Sequence, residues 1–316
     1  MSFDVNQFAG TRLVGEARSV SMHPDQLVVT LDMVGDLIDQ QCPEWSSLPI
    51  ERISSEGTVN AIFRVGDRIA ARFPLQAGDV ATTRHGLQCE AEAARRLLGR
   101  TRFPVPEPIA VGEPGCGYPM PWSIQTWVPG VTATHEDPGN SMGFADDLAE
   151  FVTDVRAIDT GGRRFAGQGR GGDLQSHDEW MEKCFRNSEG LLDVARLRRT
   201  WRHLRELPHH DRDVMTHGDL TPANVLVAGG RLAGILDAGG LGPADPALDL
   251  VAAWHLLEPR PRRAFREHLA SDDLQWERGK AWAFEQAMGA TWYYVESNPA
   301  MSRMGRRTLH RIITEQ

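Results

Sequence analysis

The stretch His217-Gly218-Asp219-Leu220-Thr221-Pro222-Ala223-Asn224, with Asp237 thirteen residues beyond the asparagine, decides how this chain is read. It offers a carboxylate, an amide five residues on, and then a second carboxylate. Between Asn224 and Asp237 lie two apolar runs, Val225-Val227 and Leu232-Leu236, joined across Gly229-Gly230. Paired glycines between such runs signal a β-hairpin, which returns Asp237 to the neighbourhood of Asn224. An amide oxygen and a carboxylate at one place suit a hard divalent cation such as Mg2+. Asp219, in a loop stiffened by Pro222, can orient an attacking hydroxyl and accept its proton. Stability gives little reason for the hydrophobic strand Leu232-Ala233-Gly234-Ile235-Leu236 to end in the carboxylate of Asp237, because desolvating a charge is costly.

Two further blocks follow, Ile235-Leu236-Asp237-Ala238-Gly239 and Gly242-Pro243-Ala244-Asp245-Pro246-Ala247-Leu248-Asp249-Leu250. Together with the first they resemble the aminoglycoside phosphotransferase (choline-kinase-like) family, relatives of the protein kinases. In that family His-Gly-Asp stands where protein kinases have His-Arg-Asp, and a variant of the metal-binding Asp-Phe-Gly segment follows, here with Ala238. The blocks occur in order within residues 217–250, and weaker likeness runs from roughly residue 25 to the C-terminus.

The resemblance implies an α+β, two-lobed protein-kinase-like fold, with a small antiparallel β-sheet N-lobe and a mainly helical C-lobe. It implies transfer of the γ-phosphoryl group of ATP or GTP, with Mg2+, to a hydroxyl of a small molecule, foremost an aminoglycoside or macrolide antibiotic. Such transfer is mostly positioning and charge compensation, which the three polar groups can supply. The alternatives are a kinase of a choline-, sugar- or amino-acid-like metabolite, and a non-catalytic nucleotide-binding pseudokinase.

Carried over residue by residue, Asp219 is the catalytic base, and Asn224 and Asp237 hold the metal. His217 braces the loop, and Asp249 ties the following helix to it. Asp245 is expected to cap that helix, with Pro246 at its first position. Ser54–Asn60 resembles the short phosphate-covering loop, which names Ser55, Gly57 and Asn60 as phosphate neighbours. The base belongs at the connector Gln125-Thr126-Trp127-Val128, with Gln125, Trp127 and Val128 contributing.

One departure stands out. Kinases of this superfamily usually hold the phosphates with a lysine on the third strand, and the only two lysines here are Lys183 and Lys280. In Ile69-Ala70-Ala71-Arg72-Phe73-Pro74, Arg72 occupies the matching position. An arginine is permanently charged and can grip phosphate in bidentate fashion. The resemblance implies Glu90 as its carboxylate partner on the next helix, since it lies sixteen residues before Pro106, where the family's glutamate falls, with Glu92 as competitor on another helical face.

Punctuation divides the chain into an extension (1–22), an N-lobe that binds nucleotide (23–128) and a C-lobe that carries the catalytic loop and binds the acceptor (129–316), with Pro129-Gly130 as the break. Periodicity predicts helices over 25–41, started by Pro24, and over 88–99. It predicts strands over 50–55, 60–65, 68–73, 109–111 and 122–128. Beyond the break, helices are expected over 143–158, 176–206, 246–257, 260–270 and 276–296, with residues 161–172 as a flexible loop. The acceptor pocket is expected among those helices, where Asp173, Asp178, Glu179 and Glu182 could face a cation and Trp180, Trp282 and Trp292 an apolar ring.

Composition sets outer bounds. With 41% hydrophobic residues and nine tryptophans, the chain can bury a large core. A net charge of −9 argues against a nucleic-acid partner and accords with a cationic acceptor. No apolar run reaches the roughly 18 residues of a membrane span, and the first residues lack a signal-peptide pattern, so no membrane partner and a cytoplasmic location are expected. Cys42, Cys89, Cys116 and Cys184 are scattered, which points to reduced thiols.

Overall fold

Ala61, Phe63 and Val65 alternate with less buried neighbours, the period-2 pattern of a strand with one covered face. They belong to a five-stranded antiparallel sheet in a computed structural model that describes residues 26–53, 59–167, 169–209 and 212–314. Its strands are β1 (Ile50–Ile53), β2 (Asn60–Val65), β3 (Ile69–Pro74), β4 (Pro108–Gly112) and β5 (Trp122–Thr126), in the order β1-β2-β3-β5-β4. Helix α1 (Leu31–Gln41) packs Val34, Leu37 and Ile38 onto the face that carries Phe63, Phe73 and Trp122. Phe73 stacks on Trp122 at 4.8 Å and meets Phe63 and Tyr118 edge-on. Since strand side chains alternate, Arg72, between Ala71 and Phe73, points to the opposite face, where α2 (Val80–Leu97) lies.

The remaining elements are β6 (Val131–Thr132), α3 (Met142–Arg156), α4 (Asp178–Asn187), α5 (Val194–Leu204), β7 (Val214–Thr216), β8 (Val225–Ala228), β9 (Arg231–Ile235), β10 (Gly242–Ala244), α6 (Val251–Leu256), α7 (Pro259–His268), α8 (Asp273–Tyr293) and α9 (Pro299–Thr314). β7 pairs with β10, and β6-β8-β9 form a second small antiparallel sheet. Their core is separate from that of the first sheet and centres on α3, α6 and α8, with Phe144, Phe151, Trp254, Trp282 and Phe284 fully buried. The fold is therefore α+β and kinase-like, a strand-rich part followed by a helical one. Leu97 and Phe103 precede the expected break at residue 129, yet belong to the second core.

Several expected boundaries move for local reasons. α1 starts at Leu31, not Asp25, because Thr30 Oγ1 accepts the Met33 N–H at 3.2 Å and caps it. α2 begins at Val80, where Asp79 Oδ1 accepts the Thr82 N–H at 2.8 Å, well before the expected Gln88. The single helix expected over 176–206 is two, α4 and α5, separated by a turn with Gly190 at φ 79° and restarted by the Asp193 cap. Helix α9 had no counterpart in the expected elements. Among the described residues no helix is long and apolar enough to cross a membrane. All four cysteines are free, Cys42 and Cys184 buried, Cys89 and Cys116 exposed.

Candidate active site

The hairpin between Asn224 and Asp237 forms as its glycines require: Gly229 and Gly230 adopt φ of 58° and 71°, and Val225 pairs with Ile235. Leu236 N–H donates to the Asn224 carbonyl at 2.8 Å, so Asp237 emerges next to Asn224. Asp237 itself adopts the left-handed conformation (φ 56°, ψ 72°), which is uncommon for a residue with a side chain. Its carboxylate accepts the Gly239 N–H at 3.3 Å and is otherwise exposed.

The loop before Asn224 is held from beneath. Buried Asp249 accepts the N–H of His217 at 2.8 Å and of Gly218 at 2.9 Å. Burial pushes the Asp249 carboxyl above its usual range, against the pull of His217 and these two backbone donors. The His217 ring bonds the Leu236 carbonyl through Nε2 (3.2 Å) and approaches the Asp219 N–H with Nδ1 (3.4 Å). It therefore ties the loop to the hairpin strand and makes no contact in the cleft.

Asp219 projects from this support, partly exposed. Asn224 Nδ2 donates to its Oδ2 at 2.8 Å and to its carbonyl at 3.0 Å. An amide with its nitrogen spent in this way turns its oxygen elsewhere. That oxygen and the Asp237 carboxylate are the pair that could hold Mg2+.

Across the cleft, Arg72 Nη1 meets Glu90 Oε2 at 3.3 Å, while Glu92 is exposed and has no such contact. Burial raises the Glu90 carboxyl above its ordinary range; Arg72 draws it down, and Asp237 pushes it up again. Gly239 marks how closely the two acids converge, since a Cβ there would lie 3.1 Å from Glu90 Cγ and 3.2 Å from Asp237 Oδ1. Arg72, Glu90, Asp237 and Gln125 line one cavity, walled by apolar groups such as Leu87, Ala94 and Ile124. Two carboxylates beside one arginine are a donor set that suits a cation together with phosphate oxygens.

The other nucleotide positions read from the sequence are less convergent. Asn60 opens β2 opposite Pro74, and Ser55 and Gly57 lie outside the described residues. Trp127 N–H is already bonded to the Arg68 carbonyl at 2.8 Å, so it is not free for a base, and its ring lies under Arg64. Val128 is buried and packs close to Gly234. Asp245 does not cap a long helix as expected: Oδ1 accepts the Ala247 N–H at 2.9 Å in a turn, and α6 begins only at Val251. Its Oδ2 instead pairs with Arg278 Nε at 2.5 Å in full burial, so its charge is compensated within the core.

The phosphotransferase enzyme family model matches residues 50–284, a span that contains every element of this site from Arg72 to Asp249. The chain belongs to that family. An aminoglycoside 3'-phosphotransferase of Streptomyces fradiae is 31% identical over 183 residues, covering 52% of this chain and 63% of that protein. Another, of Salmonella typhimurium, is 27% identical over 149 residues, 43% of this chain and 52% of that protein. The chain thus spans between half and two thirds of these curated relatives. Among solved structures, the GDP complex of aminoglycoside 2'-phosphotransferase-IIIa superposes with a TM-score of 0.66 at 18% identity, covering 90% of this chain and 98% of that one. A macrolide 2'-phosphotransferase of Brachybacterium faecium gives 0.59 at 19%, covering 88% and 98%.

For this phosphotransferase-family chain, the acceptor side differs from the acidic wall expected. Asp178 is bonded to Arg205 Nε at 2.8 Å and to the Trp201 indole at 3.0 Å. Glu182 receives Arg198 Nη2 at 2.7 Å, and Asp173 caps a turn at Gln175. Trp282 is wholly buried. Of the three tryptophans expected there, Trp180 and Trp292, 6.2 Å apart, are partly exposed. Of the loop expected to be flexible, residue 168 lies outside the described residues, and three others are held: Arg278 Nη2 donates to the Gly172 carbonyl, Asp245 N–H to the Gly171 carbonyl, and Phe165 N–H to Asp213.

Sequence reasoning also missed two direct neighbours of Asp219. Arg170 Nη2 lies 3.2 Å, and Gln286 Nε2 2.7 Å, from its Oδ1. The Gly/Arg-rich composition around Arg170 hinted at a loop but not its destination. Gln286, inside a long helix 67 residues beyond Asp219, carried no local signal.

Proposed function

We propose that the chain is a small-molecule kinase acting in the cytoplasm, which moves the γ-phosphoryl group of ATP or GTP onto a hydroxyl of an antibiotic. One arrangement carries this reading: Asn224 spends its nitrogen on Asp219, its carbonyl holds the strand end that presents Asp237, and Asp237 lines one cavity with Arg72 and Glu90. In this reading Arg72 holds phosphate oxygens, and Asn224 and Asp237 hold Mg2+. The ion, when bound, offsets charge on the phosphates and keeps them in line. Residues 23–128 would bind nucleotide and 129–316 the acceptor. Asp219 orients the acceptor hydroxyl; Oδ2 has a lone pair beyond the one taken by Asn224, whereas both on Oδ1 are engaged. Nucleotide-bound neighbours, with GDP in one case and ADP in another, support the donor class.

A second reading concerns the acceptor. Because Asp178 and Glu182 are already neutralised by Arg205 and Arg198, a neutral, largely apolar acceptor of macrolide type is favoured over a polycation. Purified protein would be incubated with Mg-ATP or Mg-GTP and a panel of aminoglycosides, macrolides and hydroxylated metabolites. The expected result is one added phosphate on a panel member, lost by on the order of 10²-fold or more in Asp219→Asn. Equal turnover by Asp219→Asn would refute the assignment of the base. Nucleotide binding with no transfer to any acceptor would favour a pseudokinase.

A further inference from the structure

The donors on Asp219 Oδ1 are of different kinds. Arg170 reaches it from a loop at the surface, with its side chain about 29% exposed. Gln286 reaches it from α8 and is itself held from behind. Its Oε1 lies 3.0 Å from His255 Nε2 on α6, and His255 Nδ1 lies 2.9 Å from Thr308 Oγ1 on α9. His255 is 3% exposed and Thr308 is fully buried.

The direction of this chain follows from its ends. A carboxylate only accepts, so Gln286 must face Asp219 with its NH2 group and His255 with its oxygen. That oxygen requires a donor, which makes His255 the Nε2–H tautomer. A neutral imidazole protonated at Nε2 accepts at Nδ1, where the Thr308 hydroxyl donates at 2.9 Å in preference to the weaker acceptor Met304 Sδ at 3.7 Å. Every member of Thr308 → His255 → Gln286 → Asp219 then has its partner, and a chain drawn from three helices ends on one carboxylate oxygen through Gln286. The charged groups bearing on His255 are Arg170 and Arg311, the latter donating to the His255 carbonyl at 2.9 Å. Both act against protonation of the ring, as does its burial, which holds its pKa down to about 4. The neutral form that the geometry requires is thus the form present at neutral pH.

We propose that Gln286 and His255 are positioning residues for phosphoryl transfer: they fix the rotamer of Asp219 through an uncharged donor, so that Oδ2 faces the acceptor hydroxyl whether or not Arg170 is in place. The inference rests on the function proposed above for Asp219. An uncharged brace suits this role, because it holds the carboxylate without setting a second fixed cation against it.

The test has two readouts. The first needs no acceptor: the 15N spectrum of labelled histidine in the intact protein at neutral pH. Besides that of His217, whose Nε2 also faces a carbonyl, it should show a neutral Nε2–H ring signal that is absent in His255→Gln and perturbed in Gln286→Leu. The second is turnover. Gln286→Leu should lower kcat about tenfold with nucleotide KM within about twofold, the size of effect expected from misplacing a reacting group. His255→Leu should lower kcat severalfold, and His255→Gln, which keeps a donor near Nε2, should recover most of it. The double variant Gln286→Leu/His255→Leu should be no slower than Gln286→Leu alone, because the histidine acts only through the amide. Circular dichroism and melting of each variant separate this from misfolding. Losses that multiply in the double variant, or a kcat unchanged in Gln286→Leu, would overturn the proposal. So would a His255 ring that is protonated or carries its proton on Nδ1. If the wild-type protein phosphorylates nothing in the panel, the proposed function fails, and the tautomer still decides whether the brace exists.

Discussion

Arg72 on β3 and Glu90 on α2 meet at 3.3 Å, and Asp237, at the end of the β8–β9 hairpin, raises the proton affinity of that same Glu90. One glutamate is thus drawn toward an arginine and crowded by an aspartate, an arrangement that a bound cation would relieve. Under the proposed function, Arg72 would stand in for the strand lysine usual in such kinases, with Glu90 as its helix carboxylate.

Arg72→Ala should therefore raise nucleotide KM and lower kcat/KM by about 10- to 100-fold, the worth of a charge-assisted hydrogen bond or two. Arg72→Lys should recover only part, since a point charge replaces a planar fork. Glu90→Gln should weaken nucleotide binding less than Arg72→Ala, while Glu92→Gln should leave it unchanged. Titration of each variant with a nucleotide analogue checks the order, and equal effects from Glu90 and Glu92 would refute it.

Asp237→Asn should raise the Mg2+ concentration for half-maximal turnover by about tenfold or more, because a neutral oxygen replaces a charged one at a hard cation. Asn224→Leu should do this and also lower kcat at saturating Mg2+, since the same side chain donates to Asp219 at 2.8 Å. A Mg2+ titration of turnover separates the two. Unchanged Mg2+ dependence in Asp237→Asn would remove that residue from the metal site.

The catalytic hairpin was legible because its signals are local: glycines at the turn, apolar runs, and polar residues at fixed offsets. The Arg72–Glu90 pair was legible through the family resemblance, which placed both on matching positions, although only the fold separates Glu90 from Glu92. The acceptor side was not. Asp178 and Glu182 looked available until α5 brought Arg205 and Arg198 against them, and α5 became a separate helix only through the turn at Gly190. Gln286 meets Asp219 because α8 crosses the second core, a contact that no periodicity encodes.

His255 also predicts how stability depends on pH. Burial is the largest cause that lowers its pKa, from 6.5 to about 4 in the folded protein. The unfolded chain therefore binds a proton that the folded one refuses between these values. Stability from this group is complete above about pH 6.5 and falls as pH drops toward about 4, by on the order of 3 kcal/mol in all. Glu258 acts lower down. Burial works to raise its pKa, but hydrogen bonds from Arg311 and Arg307 prevail and hold it at about 2, so its contribution is lost only below about pH 4.5. Urea unfolding at pH 7, 5.5 and 4.5 should show a smaller drop for His255→Gln than for wild type. Parallel curves for the two proteins would refute the buried neutral histidine.

Gly218 carries the last prediction, and it bears on why the loop reads His-Gly-Asp. Its φ is 85°, and a Cβ there would lie 2.9 Å from the Gly240 carbonyl oxygen. That contact is with backbone of the segment after Asp237, so it cannot be relieved by turning a side chain. Gly218→Ala must either move the catalytic loop from the Asp237 segment or hold a left-handed alanine, at about 1–3 kcal/mol of strain. Because Gly218 N–H is also bonded to Asp249, the displacement falls on Asp219 one residue on. Gly218→Ala should accordingly lose turnover by about 10²-fold, as for a reacting group shifted by roughly 1 Å, while nucleotide affinity, set across the cleft by Arg72, changes little. A control at Gly161, also at positive φ (63°) but with no atom near its Cβ, should cost stability alone. Full activity in Gly218→Ala would mean that the two backbone segments part without moving Asp219.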